Sequence, residues 1–258
     1  GLKNLSFMIS SFLKTKFNKD YDIVHAHNIS SALAMKNIKG KKILSIHGIF
    51  SNQINDLHGK TLASISSKYE KNALKWADAI TVISKEAFDY YTNLGYNVFQ
   101  VPNAIDISSL ETNVDKRYSK QIIFAGRLSH EKGIDSLISI SQKLTDDIHL
   151  IILGAGPEEE KIKDLVKNHK NIHFFGYQNK NQTISLIRGS DILIQPSLHE
   201  GISSTILEAM ACKAAIIASD VGGNSELIEN NVNGIIIKPD NIDSFVEQIN
   251  NLFDNETL

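Results

Sequence analysis

The stretch from residue 120 to residue 168, KQIIFAGRLSHEKGIDSLISISQKLTDDIHLIILGAGPEEEKIKDLVKN, decides the fold of this protein. Two short and largely apolar runs, 120–126 and 149–154, are each followed by a glycine-bearing turn and an amphipathic segment. Apolar strands that alternate with helices are typical of a parallel sheet covered on both faces. The stretch therefore predicts two successive strand–helix units of an α/β protein.

The same rhythm runs along the whole chain. The predicted strands are 22–27, 41–48, 79–84, 97–103, 120–126, 149–154, 171–176, 191–197, 214–219 and 233–239. The predicted helices are 2–17, 29–37, 60–77, 85–94, 134–144, 158–168, 180–188, 203–212, 223–229 and 241–253. Because the rhythm breaks in AIDISSLETNVDKRYS (104–119), we expect a smaller first lobe at 1–104 and a second lobe at 105–258.

Composition narrows the class of protein. Among 258 residues, 42% are hydrophobic and 22% charged, which favours a packed core over disorder. A net charge of −2 argues against a nucleic-acid-binding protein, which would carry a basic excess. The single cysteine, Cys212, excludes an internal disulfide and favours the cytoplasm. The sequence does not indicate an oligomeric state.

The N-terminal segment GLKNLSFMISSFLKTKFNK mixes lysines with apolar residues but lacks the apolar block and cleavage site of a secretory signal. Such a segment could touch a membrane surface. A crossover helix that packs on the sheet has the same pattern, and we favour that interpretation.

Loops that follow strands are the expected place for a site, since ligands of open parallel sheets bind beyond the carboxyl ends of the strands. The first such loop, FAGRLSHEKGID, carries Arg127 and Lys132, which together would suit a diphosphate. By itself the motif favours a solvated turn in which Ser129 caps the next helix. The second loop, LGAGPEE, has a G-x-G that we interpret as mainly structural, because this pattern alone is weak support for a phosphate loop.

The third loop, HEGISSTILEAMA (199–211), has two interpretations that its spacing leaves open. Thr205 and Glu208 could form a T-x-x-E capping box. Alternatively, Glu200 and the N-terminus of the following helix could face a ligand, because backbone N–H groups there bind anions and a carboxylate can hold neighbouring hydroxyls.

Taken together, these motifs resemble one family. GRLSHEKGID, LGAGPEEEKI, GSDILIQPSLHEGISSTILEAMA and SDVGGNSELIENNVNGIIIKPD resemble the nucleotide-sugar lobe of retaining glycosyltransferases of family 4, which have the GT-B fold of two Rossmann-like lobes. DYDIVHAHN, ILSIHG, ADAITVIS and VPNAID resemble the later part of the first, acceptor-side lobe. The resemblance covers nearly the whole chain and implies a first lobe that is incomplete.

The resemblance also implies roles for matching residues. Arg127 and Lys132 would hold the diphosphate, Glu200 would orient the donor sugar, and His47 would face that sugar from the first lobe. These four form the implied catalytic set. Glu208 would bind the ribose hydroxyls. Further implied donor-binding positions are Gly126, Tyr177, Gln178, Gly201, Ile202 and Ser203.

The implied reaction moves a sugar from a nucleotide-sugar donor, such as a UDP- or GDP-sugar, to a hydroxyl acceptor with retention. The acceptor would be a glycan, a lipid-linked compound or a small molecule. The departing phosphate would take the acceptor proton, so no metal and no other cofactor is expected. Such an enzyme would work in cell-envelope polysaccharide synthesis, in the cytoplasm or peripherally at the inner face of the membrane.

Other interpretations remain. A catalytically silent nucleotide-sugar-binding subunit, or an inactive fragment, would keep the same motifs. A GT-B epimerase would lack the E-x7-E spacing, and nothing marks the pyridoxal lysine of a phosphorylase. His25, His27 and His47 could suggest zinc, but no cysteine or close carboxylate completes a ligand set, so we expect core or cleft histidines.

The chain also departs from the family pattern. It starts after the first strand and glycine-rich loop of the family and stops before the helix that crosses back to the first lobe, so we expect a chain trimmed at both ends. Lys213 stands where the family prefers a helix-ending glycine, and Ala215 where it prefers proline. A non-glycine residue at a left-handed cap is mildly strained.

Overall fold

The chain forms two compact units, Gly1–Asn103 and Ala104–Leu258. Each contains one sheet of parallel strands, which is the α/β architecture that the alternation predicts. No described helix is both long and apolar enough to cross a bilayer. A computed structural model describes residues 2–17, 21–36, 38–49 and 67–254.

The first unit has a four-stranded sheet in which the strands pair in chain order. Its strands are β1 (Ile23–His27), β2 (Lys41–Ile46), β3 (Ala79–Val82) and β4 (Val98–Gln100). Its described helices are α1 (Leu2–Phe17), α2 (67–76) and α3 (Lys85–Asn93). The part of the predicted helix 60–77 that precedes residue 67 lies outside the described residues.

The helix predicted over 29–37 is of the 3-10 type. It spans Ile29–Met35. The Ser31 hydroxyl donates to the carbonyl oxygens of His27, at 2.5 Å, and Asn28, at 2.9 Å. Such local side-chain bonds compete with the α-helical pattern, and short segments then settle in the tighter helix.

The second unit has a six-stranded sheet of order β10-β9-β8-β5-β6-β7. The strands are β5 (Lys120–Ala125), β6 (Ile148–Leu153), β7 (Ile172–Gly176), β8 (Ile192–Gln195), β9 (Ala215–Ser219) and β10 (Ile235–Ile237). The helices are α4 (Ile134–Ser141), α5 (Glu159–Asn168), α6 (Lys180–Arg188), α7 (Ser204–Ala211), α8 (Asn224–Leu227) and α9 (Ile242–Asp254). The order reverses between β5 and β8, and such switch points are where open α/β sheets bind ligands.

Helices cover both faces of this sheet, which explains why its strands read as almost continuous apolar runs. Along β5, Ile122 and Phe124 pack into a core that contains side chains of α4, α5 and α9. Ile123 and Ala125 point the other way and pack with side chains of α6 and α7. Alternate residues therefore serve two separate cores.

The segment predicted as a linker, 104–119, is packed onto the second unit. It includes a short 3-10 helix, Ile107–Leu110, whose first turn is capped by the Asp106 carboxylate. Leu110 is buried in the core beside α6 and α7, and the Asp115 N–H donates to the Ser185 carbonyl at 2.9 Å. The break in apolar rhythm thus marks the lack of a regular element, not a lack of packing.

Candidate functional site

The loops that follow β5 and β6 form a single backbone layer. A Cβ on Gly154, whose φ is +134°, would lie 1.8 Å from the Gly126 carbonyl oxygen, so only glycine fits there. The Leu128 N–H donates to the Ala155 carbonyl at 3.0 Å. This geometry agrees with the structural interpretation of the G-x-G motif. Pro157 precedes the start of α5 by two residues.

The loops on the other side of the switch point are joined in the same way. A Cβ on Gly222 would lie 1.9 Å from the Glu200 carbonyl oxygen, and the Gly223 N–H donates to the Gly201 carbonyl at 2.7 Å. The Leu198 N–H, in turn, donates to the carbonyl of Glu131 in the loop after β5 at 2.9 Å. Backbone contacts therefore fix the segment that carries Glu200 from two sides.

Glu200 is the centre of a buried polar cluster at the switch point. Its Oε1 accepts hydrogen bonds from Lys132 Nζ at 2.6 Å, from Gln195 Nε2 at 2.7 Å and from Ser197 Oγ at 2.7 Å. The side chain of Glu200 is 6% exposed and that of Lys132 is 24% exposed. Two of the residues singled out from the sequence, which lie on different loops, are thus in direct contact.

Gln195 and Ser197 are site residues that sequence reasoning missed. Both are buried, and both donate to the Glu200 carboxylate. The available signal was a polar side chain at the end of the apolar run ILIQ. A buried polar residue in a strand calls for a partner, but a glutamine at a strand end also looks like an ordinary boundary.

Arg127 is placed differently from Lys132. Its side chain is 68% exposed, and its Nη1 lies 4.0 Å from Glu131 Oε1. A long, exposed ion pair contributes little to stability. The guanidinium could therefore leave Glu131 for a phosphate at little cost.

The capping interpretation of Thr205 and Glu208 is wrong. The N-cap of α7 is Ser203, whose hydroxyl accepts from the Ile206 N–H, so Thr205 lies inside the first turn and Glu208 in the middle of the helix. The third helical residue is Ile206, which has no side-chain oxygen to complete a capping box. Ser129 does not cap a helix through its side chain either, because its hydroxyl is buried without a partner among the described residues.

Glu208 is a half-buried carboxylate without a capping role. Burial raises the pKa of the Glu208 carboxyl, and the nearby charge of Lys180 opposes that rise. An ionised carboxylate that has lost part of its water gains from new hydrogen-bond donors. Ligand hydroxyls are donors of this kind.

Tyr177 and Gln178, which the family resemblance implies to lie beside the nucleotide base, occupy the turn between β7 and α6. Tyr177 is 78% exposed. Gln178 donates to the Phe175 carbonyl at 2.6 Å and lines a cavity of about 600 Å³ beside α6. In the same cavity wall, the Arg117 guanidinium lies 4.5 Å from the centre of the Phe175 ring. The predicted contact of this turn with a base stays a prediction.

The histidines of the first unit form a group of their own. His47 Nε2 lies 3.1 Å from His27 Nδ1, and the His47 backbone N–H donates to Asn28 Oδ1. Burial lowers the pKa of His47, and the neighbouring His27 and His25 lower it further, which favours a neutral ring. His25 and His27 share one face of β1 and are exposed, so they are not core histidines, and the cleft alternative stays a prediction. The role of His47 toward a donor stays a prediction.

Three candidate metal ligands that no sequence motif indicated come together in the second unit. The ligand atoms of His130, Asp135 and Glu158 lie within 4.8 Å of one another. Lys161 Nζ lies 2.7 Å from Asp135 Oδ1 and 3.6 Å from Glu158 Oε1. The lysine therefore already compensates the charge of the two carboxylates.

Two units, each with a sheet of parallel strands, agree with the GT-B class of fold that the resemblance implies. The family described as Glycosyl transferases group 1 matches residues 111–258, and Glycosyltransferase Family 4 matches residues 2–109. The first match alone covers more than half of the chain. The chain belongs to the glycosyl transferases group 1 family.

Relatives with names support this membership. An uncharacterised glycosyltransferase of Methanocaldococcus jannaschii is 28% identical over 236 residues, which cover 85% of this chain and 58% of the relative. The UDP-Gal:alpha-D-GlcNAc-diphosphoundecaprenol alpha-1,3-galactosyltransferase of Escherichia coli is 24% identical over 292 residues, with 100% of this chain and 72% of the relative covered.

A solved structure supports the fold. The Anabaena protein HepE in complex with UDP-glucose has a TM-score of 0.76 at 18% identity, with 95% of this chain and 72% of that chain covered. The present chain spans 58% and 64% of the length of two Methanocaldococcus jannaschii glycosyltransferases that it matches, which is less than two thirds.

Proposed function

We propose that the protein to which this chain belongs transfers a sugar from a nucleotide-sugar donor to a hydroxyl acceptor, and that the second unit holds the donor. The observation that carries this proposal is the Lys132–Glu200 contact at the switch point of the second sheet. Family membership supports the chemistry, and HepE, solved with UDP-glucose, supports a nucleotide sugar as the donor.

The cations would stabilise the leaving group. Breaking the bond between the anomeric carbon and the phosphate oxygen builds negative charge on the β-phosphate. An ammonium has three N–H donors, so Lys132 can keep its bond to Glu200 and donate to a phosphate oxygen as well. Arg127 and the backbone N–H groups of Gly201, Ile202 and Ser203 would add donors that are already oriented.

The two carboxylates would bind different parts of the donor. Glu200 accepts its three bonds on Oε1, which leaves Oε2 to accept from a hydroxyl of the donor sugar. Glu208, one helix turn or more into α7, would accept from the ribose hydroxyls. Each role uses the fact that an ionised carboxylate only accepts hydrogen bonds.

Retention of configuration is part of the proposal. The acceptor oxygen would bond to the anomeric carbon from the side that the diphosphate leaves. Its proton would pass to the departing β-phosphate oxygen, so the reaction needs no separate base. The name of the Escherichia coli relative includes a diphosphoundecaprenol-linked sugar, which supports a lipid-linked or glycan acceptor. The proposal further assigns the reaction to cell-envelope polysaccharide synthesis in the cytoplasm.

The proposal includes metal independence, and the same arrangement supports it because two cations and a helix N-terminus can replace a divalent ion beside a diphosphate. We expect transfer to continue unchanged after EDTA treatment and dialysis. The measurement is nucleotide release with and without the chelator. Loss of release that manganese restores would contradict this, and His130→Ala would then show whether the His130–Asp135–Glu158 group is responsible.

The test of the proposed function is binding followed by turnover. UDP, GDP and ADP, and a sugar conjugate of each, are titrated into the chain by calorimetry. We expect one nucleotide series to bind and Lys132→Ala to weaken that binding. Nucleotide release is then assayed with candidate hydroxyl acceptors. A chain that binds no nucleotide would refute the proposal, and binding without release under every acceptor would favour a silent binding subunit.

A further inference from the structure

The end of β8 contains a glutamine with an unusual hydrogen-bond balance. Gln195 is 1% exposed, and its Nε2 donates to Glu200 Oε1 at 2.7 Å and to Ser197 Oγ at 3.0 Å. Its Oε1 is buried and has no partner within the described part of the chain. A buried carbonyl oxygen without a partner costs stability, so the fold gains less from this side chain than from an apolar one of similar shape.

Gln121, in the neighbouring strand β5, shows what a glutamine kept for stability looks like. It is 0% exposed, and its Oε1 accepts from the backbone N–H groups of Arg117, at 2.8 Å, and Tyr118, at 3.2 Å. Its Nε2 donates to Ser190 Oγ at 3.0 Å and to the Asp115 carbonyl at 3.4 Å. Both ends of this amide are used, and the residue is explained by the fold alone.

The amide of Gln195 has only one favourable orientation. An ionised carboxylate accepts hydrogen bonds and donates none, so the NH₂ group of Gln195 must face Glu200. The opposite orientation would place two acceptor oxygens against each other. The unpartnered Oε1 is therefore a direct consequence of serving Glu200.

Gln195 and Ser197 are also the two donors that keep their hydrogen bonds to Glu200 when a ligand binds. Both are fully buried, whereas the Lys132 side chain is 24% exposed and carries the charge that a diphosphate would attract. When Lys132 shifts toward a ligand, two donors still hold Glu200 Oε1 in place.

We propose that Gln195 and Ser197 are positioning residues that hold Oε1 of Glu200 and thereby present its Oε2 to the donor sugar. This inference rests on the proposed role of Glu200 in orienting that sugar. Neither residue touches the donor. Their effect would be on the part of the binding that comes from the sugar and not on the part that comes from the nucleoside diphosphate.

The expected effect is large for a pair of uncharged residues. A misplacement of about 1 Å at a reacting group can lower a rate about a hundredfold. Gln195→Met keeps the length of the side chain and removes the unpartnered oxygen, so the melting temperature should hold or rise. Ser197→Ala removes the second donor. Both changes should lower kcat and the affinity for the nucleotide sugar while the affinity for the free diphosphate persists.

The experiment compares affinities for UDP-glucose with UDP, GDP-mannose with GDP, and ADP-glucose with ADP, by calorimetry on the whole chain. The variants are Gln195→Met, Ser197→Ala and Glu200→Gln, with Gln121→Met as the matched control. We expect the first three to lose the extra affinity that the sugar provides. We expect Gln121→Met to lower the melting temperature and keep that extra affinity.

Three outcomes would show whether the positioning role or the proposed role of Glu200 is wrong. If Glu200→Gln loses the contribution of the sugar but Gln195→Met and Ser197→Ala both keep it, the positioning role is wrong and the role of Glu200 stands. If the unmodified chain and Glu200→Gln have the same affinities for the diphosphate and for its sugar conjugate, the proposed role of Glu200 fails. This inference then fails with it. If Gln121→Met loses the contribution as well, the effect is one of general packing and the inference is refuted.

Discussion

The two ends of the second sheet differ in how completely their buried polar groups are hydrogen-bonded. At the amino end, Asp191 binds Lys116 Nζ at 2.5 Å and the Gln121 N–H at 2.9 Å. At the carboxyl end, buried side-chain oxygens lack partners within the described residues, and they belong to Ser129, Glu158, Gln195, Ser219 and Asn224. Buried polar groups are normally satisfied. The Thr112 hydroxyl, beside the last turn of α6 at the amino end, is also buried without a partner among the described residues. The five such groups at the carboxyl end still give that end more unused hydrogen-bonding capacity than the amino end.

The largest expected effect distinguishes Lys132, at the carboxyl end of the second sheet, from Lys116, at its amino end. Lys132→Ala, in a protein long enough to be active, should slow transfer by about a hundredfold or more, roughly 3 kcal/mol, because it removes a preoriented donor to the leaving phosphate. Arg127→Ala should act in the same way. Lys116→Ala is the control, since this lysine also binds a carboxylate but at the amino end. Steady-state rates that fall equally for Lys132→Ala and Lys116→Ala would erase the distinction between the ends.

The next largest effect distinguishes Glu200 from Glu208, the two carboxylates of the stretch 199–211. Glu208→Gln should lower nucleoside diphosphate affinity at least about tenfold, because charge-assisted hydrogen bonds of about 1.5–3 kcal/mol are weakened. Its melting temperature should not fall, since Glu208 does not cap the helix. Glu200→Gln should keep diphosphate binding and lose transfer. Unchanged affinity in Glu208→Gln would remove this residue from the site.

A pH titration sharpens the assignment of Glu208. Burial raises the pKa of this carboxyl above its ordinary value, so the folded protein takes up a proton before the unfolded chain does as the pH falls. The advantage of the wild type over Glu208→Gln in diphosphate binding should therefore shrink as the pH falls toward that raised pKa. In stability the sign is opposite. The wild type should gain on the variant over the same range, as measured by denaturant unfolding.

The smallest effect lies at the amino end, where α7 stops. Lys213 has a φ of 64°, a left-handed conformation that a lysine adopts only with strain. Lys213→Gly should raise the free energy of unfolding by about 0.5–1 kcal/mol, since glycine adopts this conformation without that strain. Turnover should stay the same. A thermal melt that shows destabilisation, or a change in nucleotide affinity, would mean that the two ends are coupled.

Much of the fold could be predicted because the strands of a parallel sheet are buried on both faces and stand out as apolar runs. The order of the strands could not, because the pairing of β5 with β8 joins segments that are distant in the chain. The type of the segment Ile29–Met35 depended on where one serine hydroxyl bonds. Sequence patterns contain the periodicity of an element but not such local competition.

In the site, the sequence motifs identified Lys132 and Glu200 as candidates. They did not predict the contact between these two side chains, which depends on how two loops pack. The start of α7 was predicted to within one residue, but its cap was left open because SST offers three adjacent hydroxyls, and Ser203 is the one that caps the helix. Gln195 was overlooked because its importance lies in an oxygen without a partner, which no sequence pattern reveals.

The pairing of β5 with β8 also governs how this unit folds. The neighbours β5, β6 and β7 follow one another along the chain and can associate early, but β8 must close a long loop before it reaches β5. Until then β5 exposes an open row of N–H and C=O groups, an edge that invites pairing with another molecule. Of all the strand pairs in this sheet, β5 and β8 have the largest separation along the chain, and the loops that follow these two strands carry Lys132 and Glu200. The site therefore depends on the contact of this sheet that is the most distant in sequence.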